Sequence, residues 1–159
     1  MSKAAPDDAV PYATTLHVRD TCLCLFVQRA ARALARRFDL ALKPLELTNG
    51  QFSLLMSLNR PPAAAPSIGA VAQLLAMDRT TLTAALKPLE RRGLIAIHPD
   101  PADKRSRLLA LTKAGRRLLA QALPIWQMHH RALEDSLPGA APARLRRDLS
   151  MLSDSEDTR

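Results

Sequence analysis

Residues 78–111 constrain the fold more than any other stretch of this chain. They read Asp78-Arg-Thr-Thr-Leu-Thr-Ala-Ala-Leu-Lys-Pro-Leu-Glu-Arg-Arg-Gly93, then Leu94-Ile-Ala-Ile-His-Pro99, then Asp100-Pro-Ala-Asp-Lys-Arg-Ser106, then Arg107-Leu-Leu-Ala-Leu111. Asp78 suits a helix N-cap, because its carboxylate can accept from the open N–H groups of a first turn. Leu82, Leu86 and Leu89 recur at helical spacing and give the segment one apolar stripe. Gly93 supplies the residue that ends helices in the left-handed conformation. Two short apolar runs then flank a charged, proline-containing turn, the pattern of a β-hairpin.

The flanks read as helix. Tyr12 to about Leu42 holds no Pro or Gly, and Leu16, Leu23, Phe26, Ala30, Ala33 and Phe38 lie near one stripe, so one continuous amphipathic helix is expected. Arg29, Arg32, Arg36 and Arg37 crowd its later half and read as a solvated face. Lys43-Pro44 ends it, since a residue before proline resists the helical region. Thr48 then caps a helix filled by Phe52, Leu54, Leu55, Met56 and Leu58. Arg60-Pro-Pro-Ala-Ala-Ala-Pro66 is a breaker-rich loop. Ser67 caps a short helix, Ile68 to about Leu75, with Val71, Leu74 and Leu75 expected inward. Thr112 opens a long helix to about Ser136, and Pro124 inside it should bend it, as Pro88 should bend its own helix. Leu137-Pro-Gly-Ala-Ala-Pro142 breaks the chain before a last helix, Ala143–Leu152. The expected class is mainly α with a small β-hairpin. The two long outer helices carry more apolar surface than the middle module can cover, which points to packing on a second copy.

Composition narrows the function. A formal charge of +8 and a pI near 10.5 favour a polyanionic partner. Aromatic residues are only 3%, which disfavours stacking platforms for single strands. No apolar run approaches the ~20 residues that span a bilayer, and the first residues lack a signal-peptide core, so a cytoplasmic protein with no membrane partner is expected. Cys22 and Cys24 make no disulfide framework, and no zinc-like spacing occurs. Without a GxGxxG, P-loop, HExxH or paired-acid arrangement, neither an enzyme nor a cofactor nor a metal is expected.

A capped helix of major-groove size beside a basic hairpin is a winged helix-turn-helix arrangement, which points to a DNA-binding regulator. The first two turns of such a helix approach base edges, and here they carry Arg79, Thr80, Thr81 and Thr83. Arginine can pair bidentately with guanine, and a threonine methyl can pack on a thymine methyl. Lys87 suits a phosphate, and Ser67, the cap of the preceding helix, is a further candidate DNA contact. Lys104 and Arg105 sit at the hairpin tip, where an extended arginine can enter a narrow minor groove, oriented by an ion pair to Asp103.

Leu47-Thr48, Leu89-Glu-Arg-Arg-Gly-Leu94, Asp100-Pro-Ala-Asp-Lys-Arg105 and Leu111-Thr-Lys-Ala-Gly115, in this order across roughly residues 12–150, resemble the MarR family of bacterial transcription regulators. The resemblance implies a homodimer that binds a pseudo-palindromic duplex operator, usually as a repressor, and an effector that changes the spacing of the two reading helices. It places the family's wing arginine on Arg105, with Asp103 as its acidic partner, and its helix contacts on Arg79, Thr80, Thr81 and Thr83. Many members carry an arginine directly after the position of Thr83, where this chain has Ala84. The implied organisation is a flexible arm (1–11), an N-terminal dimerisation helix (12–47), the DNA-binding lobe (48–111), C-terminal dimerisation helices (112–154) and a tail (155–159).

The resemblance also implies a small-molecule effector, often aromatic or a carboxylate, between the dimer helices and the lobe. Phe26, Phe38, Phe52, Met56 and Trp126 are candidate lining residues, with Arg29 or His17 as polar anchor. An alternative is a thiol sensor of organic hydroperoxides, because Cys24 in Leu23-Cys24-Leu25-Phe26 takes the place of that branch's reactive cysteine. Phe38 and Asn49 fall where that branch has tyrosines, so no phenol is left to hold a thiolate. On one continuous helix Cys22 and Cys24 diverge and do not bridge, which leaves both as small apolar fillers. Adjacent His129 and His130 face different ways and read as solvated. A non-specific architectural DNA-binding protein shares the charge but needs no effector.

Overall fold

The computed structural model describes residues 9–154. The expected tail, and the expected arm up to residue 8, lie outside the described residues. Among the described residues, seven α-helices and one hairpin follow in order: α1 (Tyr12–Thr21), α2 (Leu23–Leu42), α3 (Asn49–Ser57), α4 (Ile68–Leu74), α5 (Arg79–Arg91), β1 (Ile95–Pro99), β2 (Arg107–Leu111), α6 (Lys113–Asp135) and α7 (Ala141–Asp154).

The expected single N-terminal helix is broken. Cys22 takes an extended backbone, φ −71° and ψ 107°, between α1 and α2. No Pro or Gly marks the break, but the Thr21 hydroxyl donates to the His17 carbonyl at 2.7 Å, a back-bond that bends helices. α1 buries no residue, so no core packing among the described residues holds the two helices collinear.

Side-chain caps set the helix starts. The Thr48 hydroxyl accepts from Gln51 N–H at 3.1 Å while the Gln51 side chain accepts from Thr48 N–H at 3.1 Å, a reciprocal pair. Ser67 accepts from Ala70 N–H at 3.1 Å, Asp78 from Thr81 N–H at 2.8 Å, and Thr112 from Gly115 N–H at 3.0 Å. Gly93 ends α5 at φ 66°, and both Pro88 and Pro124 sit inside helices that run on past them.

One core joins α2, α3, α4, α5, the hairpin and α6. Leu42, Leu55, Leu58, Val71, Leu82, Leu86, Leu89 and Leu109 are fully buried in it. Burying each such side chain stabilises by about 1.5–3 kcal/mol before entropy is counted. α4 turns differently from the expectation: Val71 and Ala72 are buried and Leu75 is half-buried, but Leu74 is 58% exposed. A helix of two turns can seat only one of the neighbours Leu74 and Leu75, and the core takes Leu75.

The hairpin is antiparallel, running from Ile95 opposite Leu111 to Pro99 opposite Arg107. Leu109 N–H also donates to the Pro66 carbonyl at 2.9 Å, and Ser67 forms a single bridge to Leu108. The segment before α4 therefore lies along β2 like a third strand, which ties the start of α4 to the hairpin. At the hairpin's other end, the Thr112 hydroxyl donates to the Gly93 carbonyl at 2.6 Å and Thr112 N–H to the Leu94 carbonyl at 3.1 Å. Gly115 is buried where α6 crosses Leu94, so closely that a Cβ there would overlap the Leu94 carbonyl oxygen.

Candidate nucleic-acid interface

The candidate interface lies where three chain segments converge: the first turn of α4, the first turn of α5 and the turn before β2. Ser67, Ile68, Gly69, Arg79, Thr83, Asp103, Arg105, Ser106 and Arg107 line one open cleft there. Three arginines share it with a single carboxylate. Of the residues singled out from sequence, Ser67, Arg79, Thr83, Asp103 and Arg105 meet in this cleft. Thr80, Thr81, Lys87 and Lys104 are exposed outside it, on α5 and at the hairpin tip. Arg107 was not singled out; it stands at the first position of β2, opposite Pro99.

The threonines differ in availability. The Thr81 hydroxyl donates to the second Asp78 oxygen at 2.5 Å, and the Thr83 hydroxyl donates to the Arg79 carbonyl at 2.7 Å. Both hydroxyl protons are thus engaged within the helix. Thr80 makes no side-chain hydrogen bond among the described residues. The Thr81 hydroxyl and the N–H groups of the first turn hold the Asp78 carboxyl below its ordinary range, so the cap stays ionised.

Asp103 does not make the expected ion pair with Arg105. Its Oδ1 accepts from Arg105 N–H at 2.9 Å, and its carbonyl accepts from Ser106 N–H at 2.8 Å. The acid shapes the backbone of the turn and leaves the Arg105 guanidinium unpaired among the described residues, because a side chain two residues back reaches the main chain before the flexible guanidinium.

The candidate effector residues do not form one pocket within a protomer. Phe52 and Trp126 stack with centroids 6.0 Å apart and planes at 21°, and with Ser53 and Met56 they line a cleft between α3 and α6. Phe38 is buried in the interior. Phe26 and Arg29 lie on the exposed side of α2 beside Ala30, Arg32, Ala33 and Arg36, and His17 is exposed on α1. Phe26 and Phe38 share a helix but stand roughly 18 Å apart along it, too far to meet around one small molecule.

His130, read from sequence as solvated, is half-buried and stacks on Trp126 at 4.4 Å. Its Nδ1 lies 3.9 Å from Glu134, which also pairs with Arg146 of α7, and that arginine holds the Glu134 carboxyl below its ordinary range. The spacing of Trp126, His130 and Glu134 at i, i+4, i+8 was the available signal. Cys22 is half-buried at the helix break and Cys24 exposed on the first turn of α2, so Cys24 is not the buried filler expected. Large apolar side chains also stand exposed on the outer helices: Leu23, Phe26, Val27 and Leu34 on α2, Met128 on α6, and Leu145 and Leu149 on α7. Among the described residues no helix is long and apolar enough to cross a membrane, and no group of three metal-ligating side chains occurs.

A family model described as MarR family matches residues 47–106. The regulator MosR of M. tuberculosis, solved in complex with DNA, superposes with a TM-score of 0.76 at 32% identity, covering 86% of this chain and 96% of that one. A mutant of MarR from E. coli, complexed with operator DNA, gives a TM-score of 0.75 at 27% identity over 86% and 97%. Among curated proteins, the transcriptional activatory protein BadR of Rhodopseudomonas palustris is 41% identical over 73 residues, 45% of this chain and 42% of that protein. The transcriptional regulator HosA of Escherichia coli is 39% identical over 82 residues, 50% and 58% respectively. The chain spans about half the length of the curated relatives it matches.

Proposed function

The chain belongs to the MarR family of winged-helix transcription regulators, and on that premise we propose that it binds a pseudo-palindromic duplex operator as a homodimer, represses from it, and is released by a small aromatic or carboxylate effector. One observation carries the DNA reading. Arg79, Arg105 and Arg107 open onto one cleft at the start of α5, and its only carboxylate is already engaged by the turn backbone. In this reading α5 enters the major groove with Arg79 and Thr80 leading, Lys87 meets a phosphate, and Lys104 and Arg105 reach the adjacent minor groove.

The exposed apolar face on α2, α6 and α7 supports the dimer, because monomers rarely leave so much large apolar surface in water. α1–α2 and α6–α7 then form the dimer body on either side of the lobe. The cleft of Phe52, Met56 and Trp126 supports an aromatic effector, since it lies where the lobe helix α3 meets α6 and offers a stacking face.

Nuclease footprinting on DNA flanking the protein's own gene is the test. One bounded, two-fold symmetric footprint is expected, with log affinity falling against log salt by about 0.9 per phosphate neutralised. Continuous coverage without a boundary would identify an architectural protein instead, and salt-independent affinity would exclude both. Thermal shift against a panel of aromatic carboxylates tests the effector: a compound that raises the midpoint should also shorten the lifetime of the operator complex.

A further inference from the structure

Gly69 is the residue of the DNA-facing cleft with no side chain to offer, and its place there has no backbone reason. It is the second residue of α4 and its φ lies outside the left-handed region, so any L residue could adopt its conformation. Glycine weakens a helix it joins. What surrounds it supplies the reason. A Cβ built at Gly69 would stand 3.0 Å from Nη2 of Arg79, 3.6 Å from its Cζ and 3.8 Å from its Nε, and these are its three nearest atoms. The Arg79 guanidinium thus lies against the bare backbone of the first turn of α4.

We infer that Gly69 is a positioning residue for Arg79: the missing Cβ makes a seat for the guanidinium, and that seat sets how strongly the protein tells its operator from other DNA. The start of α4 is tied to β2 through Pro66 and Ser67, while α5 begins at its own Asp78 cap and seats Leu82 in the core one turn further on. No ion pair joins Arg79 to Asp103 among the described residues, so the guanidinium is held by shape and keeps its donors for DNA. An arginine tethered before DNA arrives has less rotamer freedom left to lose on binding, which favours the contact it is aimed at. The inference rests on the reading of Arg79 as a base contact.

The experiment compares the parent, Gly69→Ala, Arg79→Ala and the double variant as full-length proteins. It measures the ratio of operator to random-duplex affinity at one fixed salt, and the urea midpoint of each. Gly69→Ala should unfold at the parent's midpoint or higher, because alanine favours a helix and only the far end of a flexible side chain must move. Its discrimination should nevertheless fall by about fivefold or more, and that of Arg79→Ala by about tenfold or more. In the Arg79→Ala background, adding Gly69→Ala should change discrimination less than about twofold, since the seat then has no occupant. Loss in Arg79→Ala with none in Gly69→Ala overturns the inference alone. So does an equal Gly69→Ala loss in both backgrounds, or a fall in midpoint that accompanies it. No loss in either single variant overturns the base-contact reading of Arg79 and the inference with it.

Discussion

Gly115→Ala puts the joint between the winged lobe and α6 to a quantitative test. The new methyl would overlap the Leu94 carbonyl oxygen and stand 3.0 Å from the Leu94 carbonyl carbon and 3.3 Å from Cδ2 of Leu111. Two of these neighbours are backbone atoms at the base of the hairpin, so no side chain can swing aside. α6 must lift until the contact relaxes toward the roughly 3.5–4 Å that carbon atoms prefer. That movement stretches the two bonds crossing the same seam, Thr112 Oγ1 to the Gly93 carbonyl at 2.6 Å and Thr112 N–H to the Leu94 carbonyl at 3.1 Å. Overpacking costs about 1–3 kcal/mol and each lost hydrogen bond about 1, while the better helix former returns at most about 1. The expected net loss is therefore about 2–4 kcal/mol, a large share of a typical 5–15. Urea unfolding at a fixed chain concentration measures it, because the apparent stability of the proposed dimer would depend on concentration. Gly50→Ala is the control: its nearest neighbour would be Thr48 Oγ1 at 3.9 Å, so it should be neutral or slightly stabilising. A Gly115→Ala protein within about 0.5 kcal/mol of the parent would refute the close-approach argument.

Three further outcomes are expected. Because the folded state holds the Asp78 carboxyl below its ordinary value near 3.9, the ionised cap stabilises fully above that value and the benefit is lost as pH falls through the lower folded value; Asp78→Asn should trail the parent near neutrality and converge with it below about pH 4, and a urea-midpoint gap constant across that range would contradict this. Arg105→Ala should weaken operator binding, leave base preference nearly unchanged and flatten the log–log salt slope by about one phosphate's worth, as titrations at several salt concentrations would read; an unchanged slope would remove Arg105 from the interface. The Cys22→Ser, Cys24→Ser double variant should bind operator and respond to an effector like the parent, whereas release by near-stoichiometric organic hydroperoxide, abolished in Cys24→Ser and reversed by thiol, would make the protein a redox sensor.

Local chemistry was legible in the sequence. Thr48, Ser67, Asp78 and Thr112 each cap the helix they were read to cap, because capping involves only the next three residues. The hairpin and the stop at Gly93 were legible for the same reason. Arrangements depending on distant parts of the chain were not. The break at Cys22 carries no Pro or Gly, and α1 buries no residue. Leu74 and Leu75 are equally apolar, and only the tertiary core chooses between them. A glycine's letter does not say whether it serves a turn, as Gly93 does, or admits a crossing backbone, as Gly115 does. Asp103 beside Arg105 suggested an ion pair, and the turn used the acid for its own main chain. The stack of Phe52 on Trp126 joins residues more than seventy positions apart, which periodicity cannot reach.

At the C-terminal end of α5, Nη1 of Arg92 donates to the Glu46 carbonyl at 2.7 Å and Nη2 to the Leu45 carbonyl at 3.4 Å, pinning that end to the tight turn that follows α2. Such a pin would serve as a fulcrum for any tilt of the helix. Arg79 stands at the other end of a 13-residue helix, roughly 20 Å away at 1.5 Å per residue. Tilting such an arm by about 10° about its pinned end sweeps the tip through about 3.5 Å, close to the 3.4 Å step from one base pair to the next. If Arg79 reads a base as proposed, a few degrees of reorientation where α2 hands over to the lobe would leave that contact in place, and ten would carry it to the neighbouring pair. A molecule wedged among Phe52, Met56 and Trp126 would need neither to touch DNA nor to unfold anything to switch such an arm off.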